Sequence, residues 1–232
     1  MTPARLGAGA EVAVAALLWA AVVVGSAVLA LTVPVYTSFA SRSVAVASTA
    51  GLPATDVFRL SQNVRALVAD RQYDPLPATW AGQPAFDRGA VSHLLDVRRV
   101  ISAARTATGA AALLLAAYAG YCIARRRLAR FSGGMKAGAA MVCALMLLAF
   151  AASFLDFEAL FTAFHGLFFA AGTWTFPADS LLIRLFPERF WMASGAAWAA
   201  LSVTGALVLV GAARFVRGAE ARLSASRTAH NV

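Results

Sequence analysis

Charge is scarce in this chain. Asp, Glu, Lys and Arg make up 13% of its 232 residues, 60% are hydrophobic and the mean hydropathy is +0.71. Soluble domains carry roughly a quarter charged residues, so the composition excludes a soluble enzyme and indicates an integral membrane protein. Cysteine is nearly absent. Cys122 and Cys143 both fall in apolar stretches, a poor place for a disulfide and with no zinc spacing, and are read as packing residues. There is no G-x-S-x-G elbow to activate a serine and no glycine-rich nucleotide loop. Ionisable residues hardly occur inside the apolar runs, which argues against a transporter. The few histidines and acids, His93, Asp96 and His165 with Asp156 or Glu158, form no compact metal-ligand motif. No cofactor or metal enters the reading.

What is present is a set of apolar runs of bilayer length. Residues 12–33 carry no charge and exceed the roughly 20 residues needed to cross a membrane core. An A-x-A site at Ala45, Val46 and Ala47 would suit a cleaved signal peptide, but the run is longer than a signal core of about 7–15 residues. An uncleaved first span is expected. Further spans are expected over 106–124, 137–155 and 190–213, giving an all-α membrane protein of four transmembrane helices in a single domain. Gly195 and Gly205 would let such helices approach closely.

Two long segments separate the spans. In 34–105, Thr55 and Asp56 can cap a helix whose apolar positions Val57, Leu60, Val64, Leu67 and Val68 keep helical spacing. That helix packs on its own domain or lies on the lipid surface. Pro75, Pro77, Gly82 and Pro84 mark a turn-rich linker, and a second helix should start near Phe86. The segment 156–189 is rich in Phe and built around His165, where a mere connection would be short and polar.

Charge sets the orientation. The N-terminus, the loop holding Arg125, Arg126, Arg127, Arg130 and Lys136, and the 214–232 tail carry ten basic residues against Glu11 and Glu220. The remaining segments carry ten Arg against nine acids. By the positive-inside rule both termini and the tail are cytoplasmic, and 34–105 and 156–189 are extracytoplasmic. The net charge of +9 therefore reports topology and gives no ground for nucleic-acid binding.

Of the three histidines, His230 lies in the polar tail and is given no role. His93 precedes Asp96 by three residues, so on a helix the carboxylate could fix one ring nitrogen and leave the other basic. His165 stands among Phe161, Phe164, Phe168 and Phe169, where desolvation favours the neutral imidazole of a general base. The plainer alternative makes the aromatics, with Trp174, Phe176, Trp191 and Trp198, a belt at headgroup level. Neither outer segment contains a cysteine nucleophile.

SHLLDV at 92–97, FHGLFF at 164–169, Trp174-Thr175-Phe176 and LFPERF at 185–190 resemble the bacterial lipoprotein intramolecular transacylases, a family of four-span membrane proteins. The resemblance implies four transmembrane helices under an extracytoplasmic cap built from 34–105 and 156–189, in the bacterial cytoplasmic membrane. It also implies an acyltransferase. The sn-2 acyl chain of a diacylglyceryl-cysteine lipoprotein moves to that cysteine's own α-amino group, leaving a lyso-form lipoprotein. The family's catalytic histidines map onto His93 and His165. The chain departs from the family pattern at Gly89 and Ala90, where an acid is expected, and at Arg98, where a lysine is expected.

On this reading one imidazole, His165, shuttles the proton while His93, oriented by Asp96, polarises the carbonyl; the two roles are interchangeable. Phe164, Phe168, Trp174 and Phe176 are candidates for gripping lipid, and Arg98 for meeting a headgroup or peptide carbonyl. The partners are the diacylglyceryl-modified lipoprotein and membrane lipid. The alternative from another class is a non-catalytic membrane scaffold or chaperone for envelope proteins, with structural histidines.

Overall fold

The computed structural model describes residues 3–43 and 51–230, with side chains over 7–42 and 51–222. The elements, in order, are α1 (Pro3–Ala30), α2 (Pro34–Ser43), α3 (Ala54–Ala69), the short strands β1 (Thr79–Trp80) and β2 (Gln83–Pro84), α4 (Arg88–Ala124), α5 (Leu128–Leu155), α6 (Phe157–Phe168), α7 (Leu181–Leu185) and α8 (Glu188–His230). Among the described residues four helices, Gly7–Ala30, Arg88–Ala124, Leu128–Leu155 and Glu188–Arg222, are long and apolar enough to cross a membrane. This is the expected all-α, four-span class. The helices overrun the expected spans. α4 continues unbroken for 37 residues, about 55 Å at 1.5 Å per residue, and the tail is helical through His230. The A-x-A site at residues 45–47 lies outside the described residues.

The chain divides into two compact units. The first comprises Met1–Ala27, Thr106–Ala149 and Ala199–Val232. Within it α1 packs against α4, α5 and α8, each time through a glycine. A Cβ on Gly134 of α5 would come 2.6 Å from the Ala15 Cβ, and one on Gly138 would come 2.8 Å from the Trp19 Cβ and 2.9 Å from the Ala16 carbonyl oxygen. Gly25 of α1 is overlain by Thr108 of α4, and a Cβ on Gly205 of α8 would lie 2.8 Å from Val23. Small residues thus let backbones meet where a lipid environment supplies no hydrophobic drive between helices. Gly195, expected to act likewise, faces open space. Leu114, Leu147, Leu148 and Phe215 remain exposed, as lipid-facing side chains do. Glu11 pairs with Arg127 at 3.3 Å and Arg130 at 2.7 Å, joining the basic loop to α1. Cys122 is buried and Cys143 exposed, and both are free thiols.

The second unit comprises Val28–Arg105 and Phe150–Trp198. A tight turn at residues 31–33 ends α1, and Pro34, whose missing N–H costs nothing at a first helical position, opens α2. The face of α3 expected to be apolar is buried: Val57 and Leu60 pack with Leu185, and Val64 and Leu67 pack with Ala90, Leu94 and Leu182. The helix therefore turns that face into its own unit. Thr55 and Asp56 do not cap it; the cap position is Pro53, without a side-chain bond. Asp56 instead pairs with Arg59 at 3.0 Å and accepts from the Trp80 indole N–H at 3.3 Å.

The far end of α3 is held by arginines from α4. Arg98 donates to the carbonyls of Leu67 and Asp70, and Arg105 donates to that of Ala69 at 2.9 Å. These groups satisfy the orphan carbonyls that every helix C-terminus leaves. The linker at 73–84 contains a hairpin the sequence reading did not foresee. Its loop, Ala81 (φ 49°) and Gly82 (φ 79°), has both residues left-handed, the geometry that joins two strands through a two-residue turn.

Candidate active site

Capping decides where each histidine sits. Asp87 accepts the Ala90 N–H at 2.7 Å and starts α4, placing His93 in the second turn of that helix. Asp156 accepts the Ala159 N–H at 2.9 Å and starts α6, which carries His165 in its last turn. The sequence reading treated this stretch as an aromatic segment; it is a helix as far as Phe168. The Asp-Phe-Glu start at residues 156–158 was the signal for it.

The second unit brings the two imidazoles together. Their ring centroids lie 6.2 Å apart at an interplanar angle of 28°, and each residue is 8% exposed. Two aromatic contact distances of about 3.5–4.0 Å would not fit in that gap. A reacting group must therefore meet the rings at their edges, where the nitrogens are.

Aromatic side chains enclose the pair. Around His165 stand Phe161 at 4.0 Å, Trp174 at 4.7 Å and Phe164 at 5.6 Å between ring centroids. Phe169 touches both histidines, at 4.8 Å from His93 and 5.7 Å from His165. Phe176 lies 5.6 Å from His93. Phe168 reaches the group through Phe164, at 5.2 Å. The sequence reading included Phe169 only as part of the apolar setting of His165. As the first extended residue after α6 it turns back to lie against the side of both rings, which helical periodicity could not show.

Hydrogen bonding distinguishes the histidines. The Nδ1 of His165 lies 2.8 Å from the carbonyl oxygen of Phe161, one turn back. A carbonyl can only accept, so Nδ1 carries the proton and Nε2 the free lone pair. The Nδ1 of His93 is buried and has no hydrogen-bond partner among the described residues. Burial holds both imidazoles below the ordinary range. His93 precedes the apolar stretch of α4; proximity to His165 lowers it further, and the Asp96 carboxylate works in the opposite direction. For His165 the bond to the Phe161 carbonyl opposes the effect of burial. Two neutral imidazoles, one with a defined free nitrogen, can move a proton and polarise a carbonyl.

Two expectations about neighbouring residues change. Asp96 makes no hydrogen bond to His93; its carboxylate pairs with Arg99, one turn on along α4. Three-residue spacing put the carboxylate near either partner, and the guanidinium has the longer reach and the opposite charge. Arg98 is engaged by α3 and stacks over Tyr73 at 4.6 Å, so part of its guanidinium is taken up by protein carbonyls.

An open cavity of about 580 Å³ is lined by the start of α4 and the 172–177 loop, and its Phe176 also lies against His93. Phe164, Leu167 and Phe168 are exposed on α6 and offer an apolar surface.

A family model described as lipoprotein intramolecular transacylase Lit matches residues 12–191. Among solved structures, the in meso structure of the membrane integral lipoprotein intramolecular transacylase Lit from Bacillus cereus aligns with a TM-score of 0.80 at 14% identity, over 94% of this chain and 99% of that one. A variant of the same protein with a His-to-Arg substitution aligns with a TM-score of 0.75 at 16% identity, over 95% and 96% of the two chains. At these identities the likeness establishes the fold. No curated protein matches the sequence.

Proposed function

Given that the chain belongs to the lipoprotein intramolecular transacylase Lit family, we propose that it moves the sn-2 acyl chain of a diacylglyceryl-cysteine lipoprotein to that cysteine's α-amino group. The observation that carries this reading is the meeting of His93 and His165 inside an aromatic enclosure, with the Nε2 of His165 left free by the Phe161 carbonyl. The pair works on the extracytoplasmic face of the bacterial cytoplasmic membrane, and both termini are cytoplasmic.

Aminolysis of an ester needs a neutral amine, and an α-amino group has a pKa near 8. In the reacting complex the neutral amine attacks the sn-2 ester carbonyl, forming the N–C bond. His165 Nε2 takes the proton released by the nitrogen. His93 donates a hydrogen bond to the oxyanion. The C–O bond to glycerol then breaks, and His165 returns its proton to the departing oxygen, giving an amide and a free sn-2 hydroxyl. One positioned imidazole of this kind contributes about 10²–10⁴-fold, and an oxyanion donor contributes about 10²–10³-fold. Ester and amine belong to one molecule, so proximity does much of the rest and no acyl-enzyme is required. Phe164 and Phe168 receive the acyl chain on the apolar side, and Trp174 shields His165 from water.

Mass spectrometry of lipoprotein N-terminal peptides tests the proposal in cells with and without the protein. Acyl transfer to the α-amino group should appear only with the active protein and vanish in His165→Ala. Full N-acylation by a normally inserted His93→Ala, His165→Ala double variant would refute it and favour the non-catalytic alternative.

A further inference from the structure

The transacylase reading leaves unused a cavity of mixed polar and apolar lining that reaches His93 through Phe176. This cavity of about 580 Å³ is bounded by Asp87, Arg88, Gly89 and Ser92 on α4 and by the loop with Thr173, Thr175 and Phe176. Its volume falls within the roughly 300–1,000 Å³ of small-ligand sites. Phe176 lines it and also touches His93, so one ring forms a wall shared by cavity and reaction centre. Ser92 directly precedes His93.

An acyl chain does not suit this lining. Burying hydroxyls under hydrocarbon leaves them without partners, and burying an unpaired charge costs far more. The exposed Phe164, Leu167 and Phe168 of α6 already provide an apolar surface. The site is thus two-faced, and its proposed substrate is two-faced in the same way: hydrocarbon on the glycerol, and polar polypeptide running from the cysteine carbonyl.

We propose that this cavity receives the first residues of the lipoprotein polypeptide after the lipid-bearing cysteine, held in extended form by hydrogen bonds to its backbone. The proposal rests on the transacylase reading. The hydroxyls of Ser92 and Thr175 can donate to peptide carbonyls or accept from peptide N–H groups. Arg88 is in no ion pair among the described residues and offers a further donor. Gly89 keeps the wall open: a Cβ there would lie 3.2 Å from the Asp87 carboxylate and 3.7 Å from Phe176. Recognition through the backbone would let one enzyme accept many lipoproteins.

The test compares a diacylglyceryl-cysteinyl peptide bearing a short Gly/Ser tail with the diacylglyceryl-cysteine amide that lacks it. Two added backbone hydrogen bonds should favour the tailed substrate by about tenfold or more in kcat/KM. Thr175→Trp, which fills the cavity, should bring that ratio close to one. A ratio near one in the wild type, or unchanged by Thr175→Trp, overturns the proposal. A tailed lipopeptide with a benzophenone at its second residue gives a readout independent of turnover. In wild type and His165→Ala alike it should label the 87–92 or 172–177 segments, and labelling elsewhere overturns the proposal. If neither substrate is turned over, the transacylase reading fails while the labelling still decides what the cavity holds.

Discussion

The indole of Trp174 lies 4.7 Å from the imidazole of His165 and is tilted 31° from it. Burial is the leading cause of that histidine's lowered pKa, and the indole is part of the burial. Trp174→Leu should let water reach the ring and move its pKa up towards about 6.5. A cation–π contribution lost with the indole works the other way, but is only about 0.5–1 kcal/mol at exposed sites. The acid limb of the pH–rate profile, set by the free base, should therefore move to higher pH in the variant. An unmoved or falling limb would contradict the role given to the indole.

The same shifts fix the pH dependence of stability. Both histidines titrate lower in the folded chain than in the unfolded one. Between the two values the unfolded chain binds more protons, so stability rises with pH. The contribution is complete above about 6.5 and is lost as pH falls through the folded values. In detergent, His165→Gln should flatten the decline in Tm between pH 6.5 and 5; an unaltered slope would count against a buried neutral imidazole.

Replacing either histidine alone should abolish most of the rate. His165→Ala is expected to lose about 10²–10⁴-fold, and His93→Ala about 10²–10³-fold. Groups that act as a unit are not additive, so the double variant should be little worse than His165→Ala. Turnover of a synthetic diacylglyceryl lipopeptide measures all three, and a double loss equal to the product of the single losses would show that the rings act separately.

Asp96→Asn should be mild. Its carboxylate pairs with Arg99, and exposed pairs are worth about 0–1 kcal/mol, so activity should stay within about fivefold of wild type. A loss of a hundredfold would restore the carboxylate to the catalytic group.

Arg98→Met removes the donor to the Leu67 and Asp70 carbonyls. Leaving such groups unpaired costs about 1–3 kcal/mol, visible as a lower Tm. KM for lipopeptide should not change, because the guanidinium faces α3; a raised KM at unchanged Tm would make it a substrate contact.

The paired substitutions Gly138→Ala and Gly195→Ala probe the packing. The first drives a methyl into Trp19 and the Ala16 carbonyl and should cost about 1–3 kcal/mol. The second meets open space and should be neutral or slightly stabilising. Equal effects on thermal unfolding would refute the close approach of α1 and α5.

Much of the fold could be read directly because membrane spans are written in composition. Long apolar runs and basic loops need no knowledge of distant contacts, and the amphipathic pattern of α3 survives in its buried face. The histidines were visible for a related reason: in so apolar a chain, a lone His amid Phe residues is conspicuous. The hydrogen-bond partners were not visible. Whether Asp96 turns to His93 or to Arg99, and whether Arg98 meets substrate or the end of α3, depends on side chains competing in three dimensions. The hairpin at Ala81 and Gly82 was obscured by three prolines that suggested only a linker.

The unit that holds the proposed reaction centre is stitched from two stretches of chain, one supplying His93 and the other His165, with residues 106–149, the apolar part of α4 and most of α5, running between them in sequence. During synthesis the earlier ring must wait, already inserted, for the later one to arrive. A product released prematurely between them would lodge in the bilayer and look well folded to any assay of insertion, yet hold half of a reaction centre.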